Sequence, residues 1–406
     1  MQTTNMKSSK SKVRDAKRKV SKATEKKSFD RPTLIALSYG FSPADSPQIS
    51  KKDFDNYRNF DDPSADPGAT RESAPFCYDI AEKTSILRTY LENNWENTPH
   101  PIEISLKKPF PGSDWRRPSE HIIGLEILGF AGSMAEAIIV RSAISILEEE
   151  GYSDLTIALN SIGDKDSVAD YDRMLSNYIR KNVQGMPAEL RTEIKKSIYS
   201  LVRNKDPKFE KWATEAPKSM SFLSETSRIH FKEVLEYVES FDLPYIIDTS
   251  LIGCPEFVSH VIFEIRQGDT VLANGYRYSR LSKKLGFKRE LPAIGATIAW
   301  KKSKEHAPQA PAKPRFYLIQ LGFGAKIHAL KTLETLRKAK IAVIHSLTKD
   351  KMQSQMGSAE NARVPYILLV GQKEAIENSV VVRDTNTRVQ ETVFLKDLPE
   401  YLKKLK

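Results

Sequence analysis

Few side chains in this 406-residue sequence fall into a pattern that performs chemistry on its own. Leu321-Gly322-Phe323-Gly324 follows an apolar run and opens a helical one, where a dinucleotide-binding turn would cradle a pyrophosphate. The third small position of that fingerprint falls on Ile327, and no acid is convincingly placed after the next strand. A plain tight turn is the better reading. No Gly-rich loop ends in Lys-Ser or Lys-Thr. None of the seven histidines pairs with a Ser or Cys in a nucleophile motif. Cys77 and Cys254 are far apart and lack metal-ligand spacing, which points to a reducing cytoplasm and gives zinc no support. The charge is uneven. Met1 to Ser28 holds ten Lys or Arg and two acids, so +8 of the net +11 sits in that stretch. Such an arm can grip phosphates by releasing counterions, without reading sequence. A disordered solubilising tail is the equal alternative.

The elements that would position a site are legible from periodicity. Ile80, Ile86, Leu87 and Leu91 recur at helical spacing, and so do Ala137, Ile138, Ala143, Ile144 and Leu147. His121 to Phe130, Leu155 to Leu159, Val261 to Ile265 and Thr270 to Ala273 read as strands, with Ile246 to Ile252 as a further one. Val168 to Val202 reads as two helices around Gly185-Met186-Pro187, and Ser224 to Phe241 as another. Pro292 to Trp300 is a short apolar segment of small residues. Ser303 to Pro314, with Pro308, Pro311 and Pro314, is the clearest linker. Before it, strands and helices do not alternate regularly, which favours an antiparallel sheet with helices packed on it. After it, strand, helix, strand, helix, strand, hairpin and helix follow one another, as in a mixed α/β unit. No run of spanning length predicts a membrane helix, and no secretory signal is expected.

In order and spacing, a series of short strings resembles the histidyl-tRNA synthetase family of class II. Glu82, Thr84, Arg88, Tyr90 and Leu91 resemble its Pro-Glu-Gly-Thr…Arg-x-Tyr-Leu segment. Tyr39-Gly40-Phe41 with Ser46-Pro47 resembles its first motif, and Glu126-Ile127-Leu128-Gly129 the strand after its second. Asn160-Ser161-Ile162-Gly163 precedes a helical insertion. Arg277-Tyr278, Phe263-Glu264 and Pro292-Ala293-Ile294-Gly295 fall in their expected order. Val380 to Asp384 and Gln390 to Val393 resemble the hairpin of the family's anticodon-binding domain. The resemblance implies a class II synthetase-like antiparallel sheet flanked by helices over 29–302, with an insertion at about 164–223, and a linker at 303–314. A mixed-sheet α/β anticodon-binding domain over 315–406 would follow, with 1–28 as the basic tail. A homodimer that binds tRNA is implied, with ATP and Mg2+ if the ligase reaction is retained. In the family, the residues matching Glu82 and Thr84 hold the amino group of histidine. His121 and Glu256 complete the substrate-binding candidates.

The departures cluster where the family keeps its arginines. Its Arg-Gly-Leu-Asp-Tyr-Tyr signature falls on Gly253-Cys254-Pro255-Glu256-Phe257-Val258, which removes an arginine and both tyrosine hydroxyls. The second-motif arginine becomes Lys108 and its glutamate Phe110; the glutamine after the motif's histidine becomes Ile122. The third-motif arginine becomes Lys302. Activation joins a carboxylate to the α-phosphate of ATP, so fixed positive charge must meet developing negative charge. Arginine does this with a planar fork that lysine does not reproduce. Removing one such donor costs roughly 3–4 kcal/mol, about a hundred- to thousand-fold in rate. The remaining catalytic candidates are Lys108, Arg116, Arg277 and Lys302. The expectation is an RNA-binding relative with weak or lost activation. The alternatives are an active histidine–tRNA ligase with an altered site, and a synthetase-like regulatory subunit of histidine biosynthesis. The terminal domain argues against the regulator. Candidate RNA contacts there are Lys351, Gln353, Gln355, Asn361, Arg363 and Arg383, through base-edge hydrogen bonds, stacking and phosphate pairing.

Overall fold

The computed structural model describes residues 28–53, 80–108, 110–111, 120–301 and 307–405. Arg116, Lys302 and nearly all of the basic arm lie outside them. The described residues divide into two compact units, one of those between 41 and 303 and one that joins those up to residue 40 to those after 303.

The larger unit is built on an eight-stranded sheet in the order β1-β2-β3-β8-β7-β6-β4-β5. Its strands are β1 (Ser42–Ala44), β2 (Ile102–Lys107), β3 (Glu120–Leu128), β4 (Leu155–Gly163), β5 (Tyr245–Ile247), β6 (Ser259–Gln267), β7 (Thr270–Arg277) and β8 (Ala293–Lys301). Only the outer pairs, β1 with β2 and β4 with β5, are parallel; the interior is antiparallel. The small-residue segment is the central strand β8, paired with β3 on one side and β7 on the other. Ile246 to Ile252 forms a strand over only its first residues, because the chain turns at Asp248, whose carboxylate accepts from the Ser250 amide at 3.0 Å.

Successive residues of a strand face opposite sides of the sheet, so each side has its own partners. One side packs on the Met134–Glu149 helix, in which every residue from Met134 to Leu147 is buried. The helix is mostly apolar, and the buried charges it carries are paired, Glu136 with Arg277 and Arg141 with Glu148. The other side is covered by the Ile80–Glu92 helix and the insertion helices, which begin with Lys165–Asn182. Their contact is one continuous apolar cluster that includes Ile80, Leu87, Leu106, Phe110, Tyr171, Phe257, Tyr276 and Tyr278.

The second unit carries β9 (Phe316–Gln320), β10 (Val343–His345), β11 (Tyr366–Val370), β12 (Ser379–Asp384) and β13 (Gln390–Phe394), in the order β10-β9-β11-β12-β13. β10, β9 and β11 are parallel, whereas β12 and β13 close the sheet as an antiparallel hairpin. This is the mixed sheet the alternation predicts. Gly322 sits at φ +96°, the conformation that a turn into the Phe323–Lys338 helix needs and that glycine adopts without strain. The Arg31–Ser38 helix belongs to the same unit. Asp30 caps it by accepting from the Thr33 amide at 3.0 Å, and Phe29 pairs with Gln309 through two 2.9 Å backbone bonds. At its far end the Tyr39 hydroxyl donates to Glu334 at 2.5 Å, and Glu334 also takes both arms of Arg337.

Candidate functional site

The sheet face under the Ile80–Glu92 helix gathers the charged residues that the sequence singles out. Glu82 is buried. One of its oxygens accepts the Phe110 amide at 3.0 Å, and the other lies 2.6 Å from the Lys108 ammonium. Lys108 also donates to the Thr297 hydroxyl on β8 at 2.7 Å. Thr84 is buried on the same helix, and its hydroxyl has no hydrogen-bond partner among the described residues. Glu82 and Lys108 are thus brought together, with the lysine paired to the glutamate.

A second ion pair on this face was not among the sequence candidates. Lys83 meets Glu126, which points from the middle of β3, and the Tyr278 hydroxyl donates to the same carboxylate at 2.9 Å. The Lys83 ammonium lies 5.7 Å from the Tyr276 ring centroid and 5.0 Å from that of Tyr278. Lys83 and Glu126 are 2% and 0% exposed, so water does not screen the pair. Burial, with the Glu126 carboxylate next, raises the Tyr278 hydroxyl well above its usual range and keeps it a donor. A signal for this pair was present in the sequence: a glutamate inside Ile-Ile-Gly-Leu-Glu-Ile-Leu demands a buried partner.

Arg277 lies on the opposite face. Tyr276 points toward Lys83, so the next residue on β7 points toward the Met134–Glu149 helix. There its fork holds Glu136 at 2.9 and 2.7 Å and also donates to the carbonyls of Phe130 and Gly132. His230 adds a 2.9 Å contact to Glu136. Burial raises the Glu136 carboxyl, but Arg277 and His230 outweigh it and hold the group down at about 2. His121 is exposed at the start of β3, its ring 5.8 Å from that of Trp300. Glu256 sits in a turn and pairs with Lys284. Neither is brought to the Glu82 face.

The loop with Gly253 is tightly packed. A Cβ on Gly253 would lie 2.7 Å from Val258 Cγ2, so a larger residue at either position displaces the other. Two arginines do reach this loop. Arg203 donates to the carbonyls of Ile252 and Gly253, both at 2.6 Å, and Arg280 to that of Pro255 at 2.6 Å. Among the described residues no group of three or more His, Cys, Asp and Glu is placed to hold a metal ion. No described helix is long and apolar enough to cross a membrane.

In the second unit Lys351, Gln353, Asn361 and Arg363 are exposed along or beside the Met352–Ala362 helix, and Arg383 is half-buried on β12. Gln355 corrects the expectation of a surface contact. It is fully buried, and its amide bonds the Gln320 backbone at 3.1 Å to the nitrogen and 2.7 Å to the oxygen, leaving it no access to a ligand.

Residues 316–405 match the family model of an anticodon binding domain. The histidine–tRNA ligase of Latilactobacillus sakei is 25% identical over 332 residues, covering 77% of this chain and 76% of that protein. The histidine–tRNA ligase of a Synechococcus strain is 26% identical over 291 residues, with 70% and 69% covered. The apo histidyl-tRNA synthetase of S. aureus aligns over 92% of this chain and 93% of its own at 21% identity, with a TM-score of 0.48. The chain is thus similar to histidine–tRNA ligases over about three quarters of its length, and its residues 316–405 match an anticodon-binding domain.

Proposed function

We propose that this protein binds tRNA or a related structured RNA through its anticodon-binding domain and has lost amino-acid activation, or keeps it only weakly. One observation carries the reading: the cations nearest the Glu82 face are spent on carboxylates. Lys108 is paired with Glu82 and Lys83 with Glu126, so among the described residues these two positive charges are matched by two negative ones rather than offered to a triphosphate. Arg277, the remaining described candidate, serves Glu136 on the other side of the sheet. These residues do not fit ATP with Mg2+, because an anion entering here would have to displace buried glutamates from their partners. The exposed Lys351, Gln353, Asn361 and Arg363 suit phosphate and base-edge contacts, and the two-unit chain is proposed to work as a homodimer.

A second reading, an active ligase with an altered site, has one observation in its favour. Arg280 approaches the Gly253 loop with one buried guanidinium nitrogen that has no hydrogen-bond partner among the described residues. Histidine-dependent exchange of pyrophosphate into ATP decides between the two. Absence of exchange alongside salt-dependent tRNA binding is the expected outcome. Exchange that Arg280→Ala abolishes establishes the second reading. Absence of both exchange and RNA binding overturns the first.

A further inference from the structure

The Lys83 ammonium is enclosed in a way that a core does not require. Ion pairs of this burial are often matched or bettered in stability by apolar residues of the same volume. Here the enclosure is a carboxylate fixed by a tyrosine hydroxyl, with the two aromatic rings of Tyr276 and Tyr278 at 5.7 and 5.0 Å from the nitrogen. A carboxylate combined with ring faces is the chemistry by which proteins recognise free ammonium ions. The cage is also shaped around the nitrogen. Gly295 leaves the space into which Lys83 reaches, since a Cβ there would lie 2.4 Å from the Lys83 nitrogen and 1.9 Å from Glu126. Beside it, the Lys108 ammonium is held by Glu82 and Thr297 at 2.6 and 2.7 Å.

We propose that this face is an ammonium-binding pocket kept closed by the chain's own side chain, with Lys83 as the tethered occupant of a cage made by Glu126, Tyr276 and Tyr278. The free ligand class that the cage accepts is a small primary alkylammonium. The inference rests on the reading that this face no longer serves a substrate, and it supplies a cause. A tethered ligand competes at a high effective concentration, so a free amine enters the wild-type cage far less readily than one without the tether. Both arms of the competition present the same group to the same carboxylate, so shortening the tether exchanges one for the other.

The test uses the full chain with Lys83→Ala, which removes the ammonium and most of the stem. Thermal unfolding is followed while n-butylammonium is added to tens of millimolar, with n-butanol and potassium chloride as matched controls. The variant is expected to melt below the wild type and to regain most of the difference with n-butylammonium, saturably, and with neither control. The wild type should show no specific response. Equal effects of the amine and the alcohol overturn the proposal, and so does an equal response in the wild type. If the variant does not fold alone, it is refolded with and without the amine. Recovery only with n-butylammonium supports the proposal, and no recovery overturns it. Lys83→Met, which fills the cage without charge, should be insensitive to the amine. Pyrophosphate exchange by the wild type reports separately on the loss of activation, so the two readings fail independently.

Discussion

Glu126 and Gly295 are direct partners across β3 and β8, and the glutamate fills the space a side chain at 295 would need. The neighbour on the other side of that space is the buried Lys83. Neither can withdraw without unpairing the other. Gly295→Ala is therefore expected to destabilise the larger unit by about 1–3 kcal/mol, the usual cost of overpacking, or more if the ion pair separates. Urea unfolding measures it. A neutral outcome would mean that the pair can move.

Arg277 predicts a stability phenotype where a catalytic arginine would give a kinetic one. Arg277→Met leaves Glu136 buried with only His230 beside it. Breaking a buried pair on one side costs roughly 3–5 kcal/mol. The double variant Arg277→Met/Glu136→Leu should recover much of that loss in a double-mutant cycle, because it removes the orphaned charge as well as its partner.

Acid sensitivity should appear well above the carboxylate range. Burial, then the electrostatic effect of the neighbouring His230 and Arg277, lower the His260 imidazole to about 4, against the opposing effect of Glu136 and Asp164. A group neutral when folded and charged when unfolded lets the unfolded chain take up the extra proton. Stability should fall as pH drops from about 6.5 toward 4, a slope of roughly 1.4 kcal/mol per pH unit at most for one group. Glu136, depressed to about 2, adds a separate loss below about 4.5. His260→Gln should flatten the first phase and leave the second.

In the anticodon-binding unit, buried and exposed polar residues should separate cleanly. Lys351→Ala and Arg363→Ala should each reduce the dependence of RNA affinity on salt by about one counterion, with little change in melting temperature. Gln355→Ala should do the reverse, since it unpairs the Gln320 backbone in the core. Losing those bonds costs about 1–3 kcal/mol. Filter binding over a salt series, paired with thermal unfolding, distinguishes the two classes.

The sheet and its flanking helices were legible wherever periodicity was strong, as in the Met134–Glu149 helix and in β3. β8 was harder to read because its Ala and Gly residues carry little strand preference. Their smallness follows from what lies above them, Glu126 and Lys83 over Gly295, which is tertiary information. The site was half legible. Two residues picked out by resemblance, Glu82 and Lys108, pair with each other, whereas Arg277 lies on the other side of the sheet through the alternation of a single strand. Gln355 looked like its polar neighbours Gln353 and Ser354, although the helix turns it inward. Lys83 escaped notice because its partner Glu126 is 43 residues away in sequence.

The Arg31–Ser38 helix has a consequence for biosynthesis. It docks on a unit whose sheet is encoded after residue 304, so it leaves the ribosome long before its binding surface exists. The 41–303 unit, contiguous in sequence, can complete its own fold during that interval. Nascent chains halted just short of the last strands should therefore present a finished first body and an early helix still waiting for its seat.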